Sequence, residues 1–182
     1  MDRLKLVLPT AADEQAIWDY REEFFNNNDQ HLDGTGGLAN VQDFAGWYRK
    51  NLAYRSEETT PPDKVPASTY LAVLQQTGEL IGMIDIRHRL NEGLLKFGGH
   101  IGYSVRPSRR RRGYATRRRQ GYAVEMLRLG LEECRKLGID RVLLTCDKTN
   151  IGSAKTIQHN GGVLENEIEM PDRITQRYWI KL

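Results

Sequence analysis

Ser104-Val105-Arg106-Pro107-Ser108-Arg109-Arg110-Arg111-Arg112-Gly113-Tyr114-Ala115-Thr116 runs directly into a near-copy of its second half, Arg117-Arg118-Arg119-Gln120-Gly121-Tyr122-Ala123-Val124. Six of eight positions are identical between units 109–116 and 117–124. Each unit holds an Arg-x-x-Gly-x-Ala pattern, at Arg110, Gly113 and Ala115, then at Arg118, Gly121 and Ala123. Upstream, residues 100–105 alternate as a strand does. Downstream, Ala123, Met126, Leu127, Gly130, Leu131, Cys134 and Leu137 recur at helical spacing over 122–137, and Gly138 stops the pattern. A strand that ends in such a loop and enters a helix suits a pyrophosphate. Glycines let backbone N–H groups approach the anion, the helix N-terminus adds partial positive charge, and arginines add charge-assisted hydrogen bonds.

Working outward, residues 141–146 form a short apolar strand after a tight return, so strand, helix and strand predict a right-handed crossover between parallel strands. Residues 4–8 read as a strand and Thr10 to Asp13 as a helix cap, with Ile17, Tyr20, Phe24 and Phe25 on the apolar face that follows. A second helix is expected over 41–52, with Val41, Phe44, Ala45, Tyr48 and Leu52 inward. Residues 70–75 and 80–87 read as a hairpin, 151–159 as a short helix, and 163–170 with 174–180 as a final hairpin. The fold class is therefore α+β: one mixed, mostly antiparallel sheet, a single splayed parallel pair ending at Val105 and Cys146, and about four helices. Residues 1–182 are expected to form one domain, with an eight-residue tandem duplication at 109–124.

Val-x-Pro followed by Arg-x-x-Gly-x-Ala and an amphipathic helix resembles motif A of the GNAT superfamily of acetyl-CoA-dependent N-acetyltransferases. Arg110 and Gly113 fall five and eight residues after Val105, as in that motif. Asn150 and Gly161, eleven residues apart, resemble the family's second CoA-contacting segment. The resemblance implies acetyl-CoA as acyl donor and direct attack by a primary amine of a small molecule or peptide in a ternary complex. It implies backbone contacts near Val105, Asn150 at the pantetheine or acetyl group, and Ser153 or Lys155 at the nucleotide end. Asn150 also suits a helix N-cap. The chain departs from the family at Ile157, where a Tyr often protonates the leaving thiolate. Tyr103, Tyr178 or a water are the alternatives. His100 is the candidate base, with Asp85 and His88 behind it, and a hydrogen-bonded strand histidine is the plainer account of it.

Both copies of the repeat cannot serve one anion site. Eight more helical residues would add about 12 Å, whereas eight more loop residues cost at most about 1 kcal/mol of closure entropy. Copy two (Arg118, Arg119, Gln120, Gly121, Tyr122, Ala123) is therefore assigned to the phosphates and copy one (Arg110, Gly113, Ala115) to a looped-out segment. The reverse assignment would bulge residues 116–120. A replication slip or engineered insertion without function accounts for the repeat itself.

Composition narrows the rest. The chain has 182 residues, a formal charge of +3 and two cysteines, with no apolar run near the ~20 residues of a membrane span. There is no signal-peptide pattern and no Cys/His spacing for a metal, so a cytoplasmic monomer or homodimer with reduced thiols is expected. Eight arginines lie within 106–119. A nucleic-acid-binding module is the reading from another class, and a non-catalytic acyl-CoA-binding protein is the third. Asp29, Asp33, Glu57 and Glu58 could attract a cationic acceptor.

Overall fold

The structure, a computed structural model, describes residues 3–29, 32–110 and 121–182. In chain order the elements are β1 (Leu4–Val7), α1 (Glu14–Asn26), α2 (Phe44–Ala53), β2 (Ala67–Leu74), β3 (Leu80–Arg87) and β4 (Ile101–Val105). They continue with α3 (Tyr122–Lys136), β5 (Arg141–Asp147), α4 (Ile151–His159), β6 (Val163–Glu169) and β7 (Ile174–Lys181). The Thr10–Asp13 cap is present: the Asp13 carboxylate accepts the Thr10 N–H and hydroxyl, each at 2.7 Å.

The strands divide into two antiparallel sheets, β1-β2-β3-β4 and β5-β7-β6. This corrects the single mixed sheet. β4 and β5 run alongside one another, but they meet only at the vertex. There the His100 N–H donates to Leu143 O at 2.7 Å, and the Leu143 N–H donates to His100 Nδ1 at 3.0 Å. An imidazole has taken the place of a ladder carbonyl, so the parallel pair ends as soon as it begins. Gly99 makes the approach possible: its φ is +68°, and a Cβ there would lie 2.5 Å from Leu143 O.

β3 is buried along nearly its whole length because helices cover both faces of its sheet. Ile84 and Ile86 face α3, where Met126, Leu127 and Leu131 continue into a core shared with Val142, Leu144 and Ile180 of the second sheet. Leu71, Val73 and Met83 face α1 and α2, packing on Ile17, Tyr20, Phe24, Phe44 and Trp47. One core thus joins the two sheets and holds their angle.

Helix α2 corrects the sequence phase. Asp43 caps it by accepting the Gly46 N–H at 2.7 Å, and Phe44, Trp47 and Asn51 face inward. Ala45 is exposed and Leu52 is 40% exposed, although both were expected inside. Trp47 decides the rotation, since its indole fills the core and its N–H reaches Thr35 O at 2.9 Å. No helix among the described residues is long and apolar enough to cross a membrane.

Candidate active site

The fork between β4 and β5 presents two strand edges to one another. Even-numbered residues of β4 serve β3: the Arg87 N–H donates to His100 O and the Arg106 N–H to Ile81 O. By antiparallel alternation, the N–H and C=O groups of Ile101, Tyr103 and Val105 point into the fork. On the far side β5 pairs with β7 alone, leaving its other edge toward the same gap. Buried backbone groups require partners. An extended molecule carrying amides fits between such edges as a strand would.

The side chains at this opening are hydroxyls. The Tyr103 phenol and the Ser153 hydroxyl lie 3.1 Å apart across it. Burial pushes the Tyr103 pKa up to about 12, so the phenol stays protonated at neutral pH. Burial likewise raises the Cys146 thiol to about 11, making it a poor nucleophile there. Asn150 Oδ1 accepts the Ser153 N–H at 3.0 Å, so Asn150 is the N-cap that orients Ser153. Tyr178 faces the core, 1% exposed, with its hydroxyl on Gln176 Oε1 at 2.8 Å. Ile157, where the resemblance would place a Tyr, is fully buried.

His100 is 7% exposed and sits at the vertex with Nδ1 engaged by Leu143. Burial, helped by the nearby Arg87 charge, lowers its pKa to about 4. The geometry matches the plainer account of this residue, a histidine that holds the fork. His88 bonds Ser68 at 2.9 Å, and burial depresses its pKa as well. Asp85 is buried and bonded to Thr69 at 2.8 Å on the α1/α2 face, opposite Gly102 in register.

Helix α3 begins at Tyr122, directly after the glycine of copy two. Gly121 is its N-cap, with the Val124 and Glu125 N–H groups donating to Gly121 O at 3.1 and 3.2 Å, and Tyr122 and Ala123 open the first turn. Asn160, which ends α4, donates to Val124 O at 3.3 Å and ties the two helices together. Sequence reading missed Glu125, a buried carboxylate in that first turn. It accepts the N–H groups of Arg3 and Leu4 at 2.5 and 2.8 Å and pairs with the Arg3 guanidinium at 2.9 Å. Glutamate at an apolar helical phase was the available signal.

The described arginines of this stretch, Arg106 ahead of the repeat and Arg109 and Arg110 in copy one, are engaged elsewhere. Arg106 pairs with Glu23 at 2.6 Å, Arg109 with Glu79 at 2.6 Å and Arg110 with Asp29 at 2.8 Å. Arg110 Nε also donates to Val105 O at 2.8 Å, and its guanidinium lies over the Phe24 ring. Burial opposes ionisation of Glu23, but the Ser108 amide and Arg106 outweigh it and hold its pKa low. Gly113, Ala115, Arg118, Arg119 and Gln120, and with them most of the duplication, lie outside the described residues.

A family model described as an acetyltransferase (GNAT) domain matches residues 3–163. No curated protein matches the chain in sequence. Among solved structures, RimL, a ribosomal L7/L12 α-N-protein acetyltransferase in complex with coenzyme A, is similar at 16% identity and a TM-score of 0.71, over 100% of this chain and 96% of its own. Microcin C7 self-immunity acetyltransferase MccE, in complex with acetyl-CoA and AMP, is similar at 13% identity and a TM-score of 0.68, over 100% and 94%. The ribosomal-protein-S5-alanine acetyltransferase of Vibrio fischeri is similar at 14% identity and a TM-score of 0.67, again over 100% and 94%.

Proposed function

We propose, from the premise that the chain belongs to the GNAT acetyltransferase family, that it moves an acetyl group from acetyl-CoA to a primary amine by direct attack in a ternary complex. Acetyl-CoA is the acyl donor of that family. The observation that carries the reading is the fork itself: facing strand edges closed at His100–Leu143, with Tyr103 and Ser153 at the opening. Pantetheine amides pair with the backbone of Val105, and the pyrophosphate rests on the first turn of α3. Gly121, Tyr122 and Ala123 provide that turn, and Arg118, Arg119 and Gln120 precede it. Arg110, Gly113 and Ala115 belong to copy one, which is assigned no phosphate contact, consistent with Arg110 being committed to Asp29. Asn150 orients Ser153 and contacts the pantetheine arm.

The chemistry follows from these positions. The acceptor ammonium loses one proton to become nucleophilic, and its nitrogen attacks the thioester carbon. The Tyr103 backbone N–H, directed into the fork, stabilises the oxygen as charge develops. The carbon–sulfur bond breaks, the nitrogen sheds its second proton to solvent, and the thiolate takes a proton from the Tyr103 phenol, which regains one from solvent through the Ser153 hydroxyl. One proton is released to solvent overall. His100 acts as a positioning residue at the vertex.

The acceptor is a small-molecule amine or a peptide amine. Two neighbours favour the peptide, since their names give ribosomal proteins as what they acetylate. The test follows thiol release from acetyl-CoA with a panel of amines, alongside thermal stabilisation by CoA and by an oligonucleotide. Stabilisation by CoA together with thiol release is expected. CoA binding without turnover would leave an acyl-CoA-binding protein, and stabilisation by the oligonucleotide alone would return the arginine run to nucleic acid.

A further inference from the structure

Beside β4, on the face covered by α1 and α2, lies a cavity of about 420 Å³. One wall is the loop 32–37, pressed onto the strand: Gly34 has φ +72°, and a Cβ there would sit 2.2 Å from Gly102 O. Asn51 and Asp85 line the cavity, 5% and 7% exposed, with the hydroxyl of buried Thr69 between them. Thr69 Oγ1 lies 2.7 Å from Asn51 Oδ1 and 2.8 Å from Asp85 Oδ1. One hydroxyl hydrogen cannot satisfy both oxygens. Reversing the Asn51 amide offers no escape, because its Nδ2 donates to Trp47 O at 2.8 Å and the reversed group would set two carbonyl oxygens together. Arg87 Nε stands 3.5 Å from Asp85 Oδ2, and Arg87 Nη1 is held by the Gly98 and Gly99 carbonyls. At this point of the floor two acceptor oxygens therefore share one hydroxyl hydrogen.

Asp33 lines the cavity next to Gly34. Its carbonyl accepts the Ser104 hydroxyl at 2.5 Å, which fixes it over β4. The other lining carboxylates are engaged, Asp85 by Thr69 and Asp63 by Lys64 at 2.9 Å. The Asp33 carboxylate has no hydrogen bond or ion pair among the described residues, and its charge reaches Tyr103.

We propose that this cavity seats the acceptor, with the reacting ammonium on Asp33 and a second hydrogen-bond donor delivered to whichever of Asn51 Oδ1 and Asp85 Oδ1 the Thr69 hydroxyl leaves without a hydrogen. The substrate class is a primary amine bearing a hydroxyl or N–H a few bonds from its nitrogen. This rests on the acetyltransferase reading and adds the acceptor to it. Asp33 holds the ammonium beside the opening of the fork and passes its first proton to solvent, leaving the neutral amine facing the thioester carbon.

The test is calorimetry on protein first saturated with CoA, titrated with 3-amino-1-propanol, n-butylamine and β-alanine. The amino alcohol should bind about tenfold more tightly than butylamine, the scale of one added hydrogen bond. β-Alanine should bind weakest, because it brings a carboxylate to Asp85. Asn51→Leu should erase the preference for the amino alcohol. Asp33→Asn, at an exposed position, should weaken all three amines about tenfold and leave CoA affinity unchanged. Equal binding of butylamine and amino alcohol, no heat from any amine, or an indifferent Asp33→Asn overturns the assignment while the acetyltransferase reading stands. Failure of the CoA saturation step overturns both.

Discussion

The two ends of the β4–β5 fork are built in opposite ways. At the closed end every backbone group has a partner: Leu143 gives its N–H to an imidazole nitrogen and takes the His100 N–H in return, and both residues are buried. A few residues on, the groups of Tyr103 and Val105 point into the gap with hydroxyls close by, and Arg110 has reached back to Val105 O. The same two strands are finished at one end and left open at the other. Energetics explain the contrast. An unpaired buried amide costs about 1–3 kcal/mol, so an open edge persists in a stable fold only where a ligand or water completes it. The vertex sets the width of the fork, and the opening is what that width serves.

The largest effect that could break this contrast lies where the open end runs into α3. Gly121→Glu places a carboxylate at the N-cap, where the pyrophosphate is proposed to rest, and should weaken CoA by at least about three hundredfold. Gly113→Glu should change CoA affinity less than about threefold, because copy one is assigned no phosphate contact. Calorimetric titration of both variants measures the difference. The reverse order would make copy one the working loop and the ion pairs of Arg106, Arg109 and Arg110 incidental. Next in size is Tyr103→Phe, which keeps the ring and removes the proposed proton donor. Single-turnover kinetics should show a rate about a hundredfold lower with CoA affinity retained. An unchanged rate would pass the acid role to Ser153 or water.

How much of this could be read beforehand depended on whether a feature was local. Periodicity and caps placed α3, α4 and both hairpins to within three residues at every end, because helix phase and turn chemistry are written in neighbouring residues. The phase of α2 was misread, since Ala45, Tyr48 and Leu52 form an apolar row as regular as the one used. Only the tertiary demand of Trp47, a large ring needing a buried carbonyl for its N–H, selects between them. The split of the sheet was equally out of reach. It depends on a side chain 43 residues away substituting for a backbone acceptor, and strand patterns carry no record of that. Tyr103 was legible as a candidate acid, but its partner Ser153 was assigned to the nucleotide end, because a helix-capping segment does not disclose what faces it. Asp33 and the Asn51–Thr69–Asp85 floor come from four separated segments, and although Asp33 and Asp85 were each named as candidates, nothing local brings the four together.

The smallest expected effect concerns the closed end and separates holding the fork from catalysis. Burial lowers the His100 pKa to about 4 in the folded protein, against about 6.5 in an unfolded chain. Between those values the unfolded state binds more protons, so stability rises with pH across the window. The contribution is fully present above about pH 6.5 and is lost as pH falls toward about 4. Chemical denaturation at pH 7.5 and pH 5 should show this loss. His100→Leu should flatten the pH dependence while costing about 1–3 kcal/mol at pH 7.5, the penalty for leaving the Leu143 N–H without an acceptor. If His100 were instead the base, its removal would abolish turnover even at a pH where the variant is folded, whereas loss of a positioning residue leaves turnover measurable. The two roles therefore predict different turnover for the same variant, and a neutral imidazole already engaged through Nδ1 favours the positioning role.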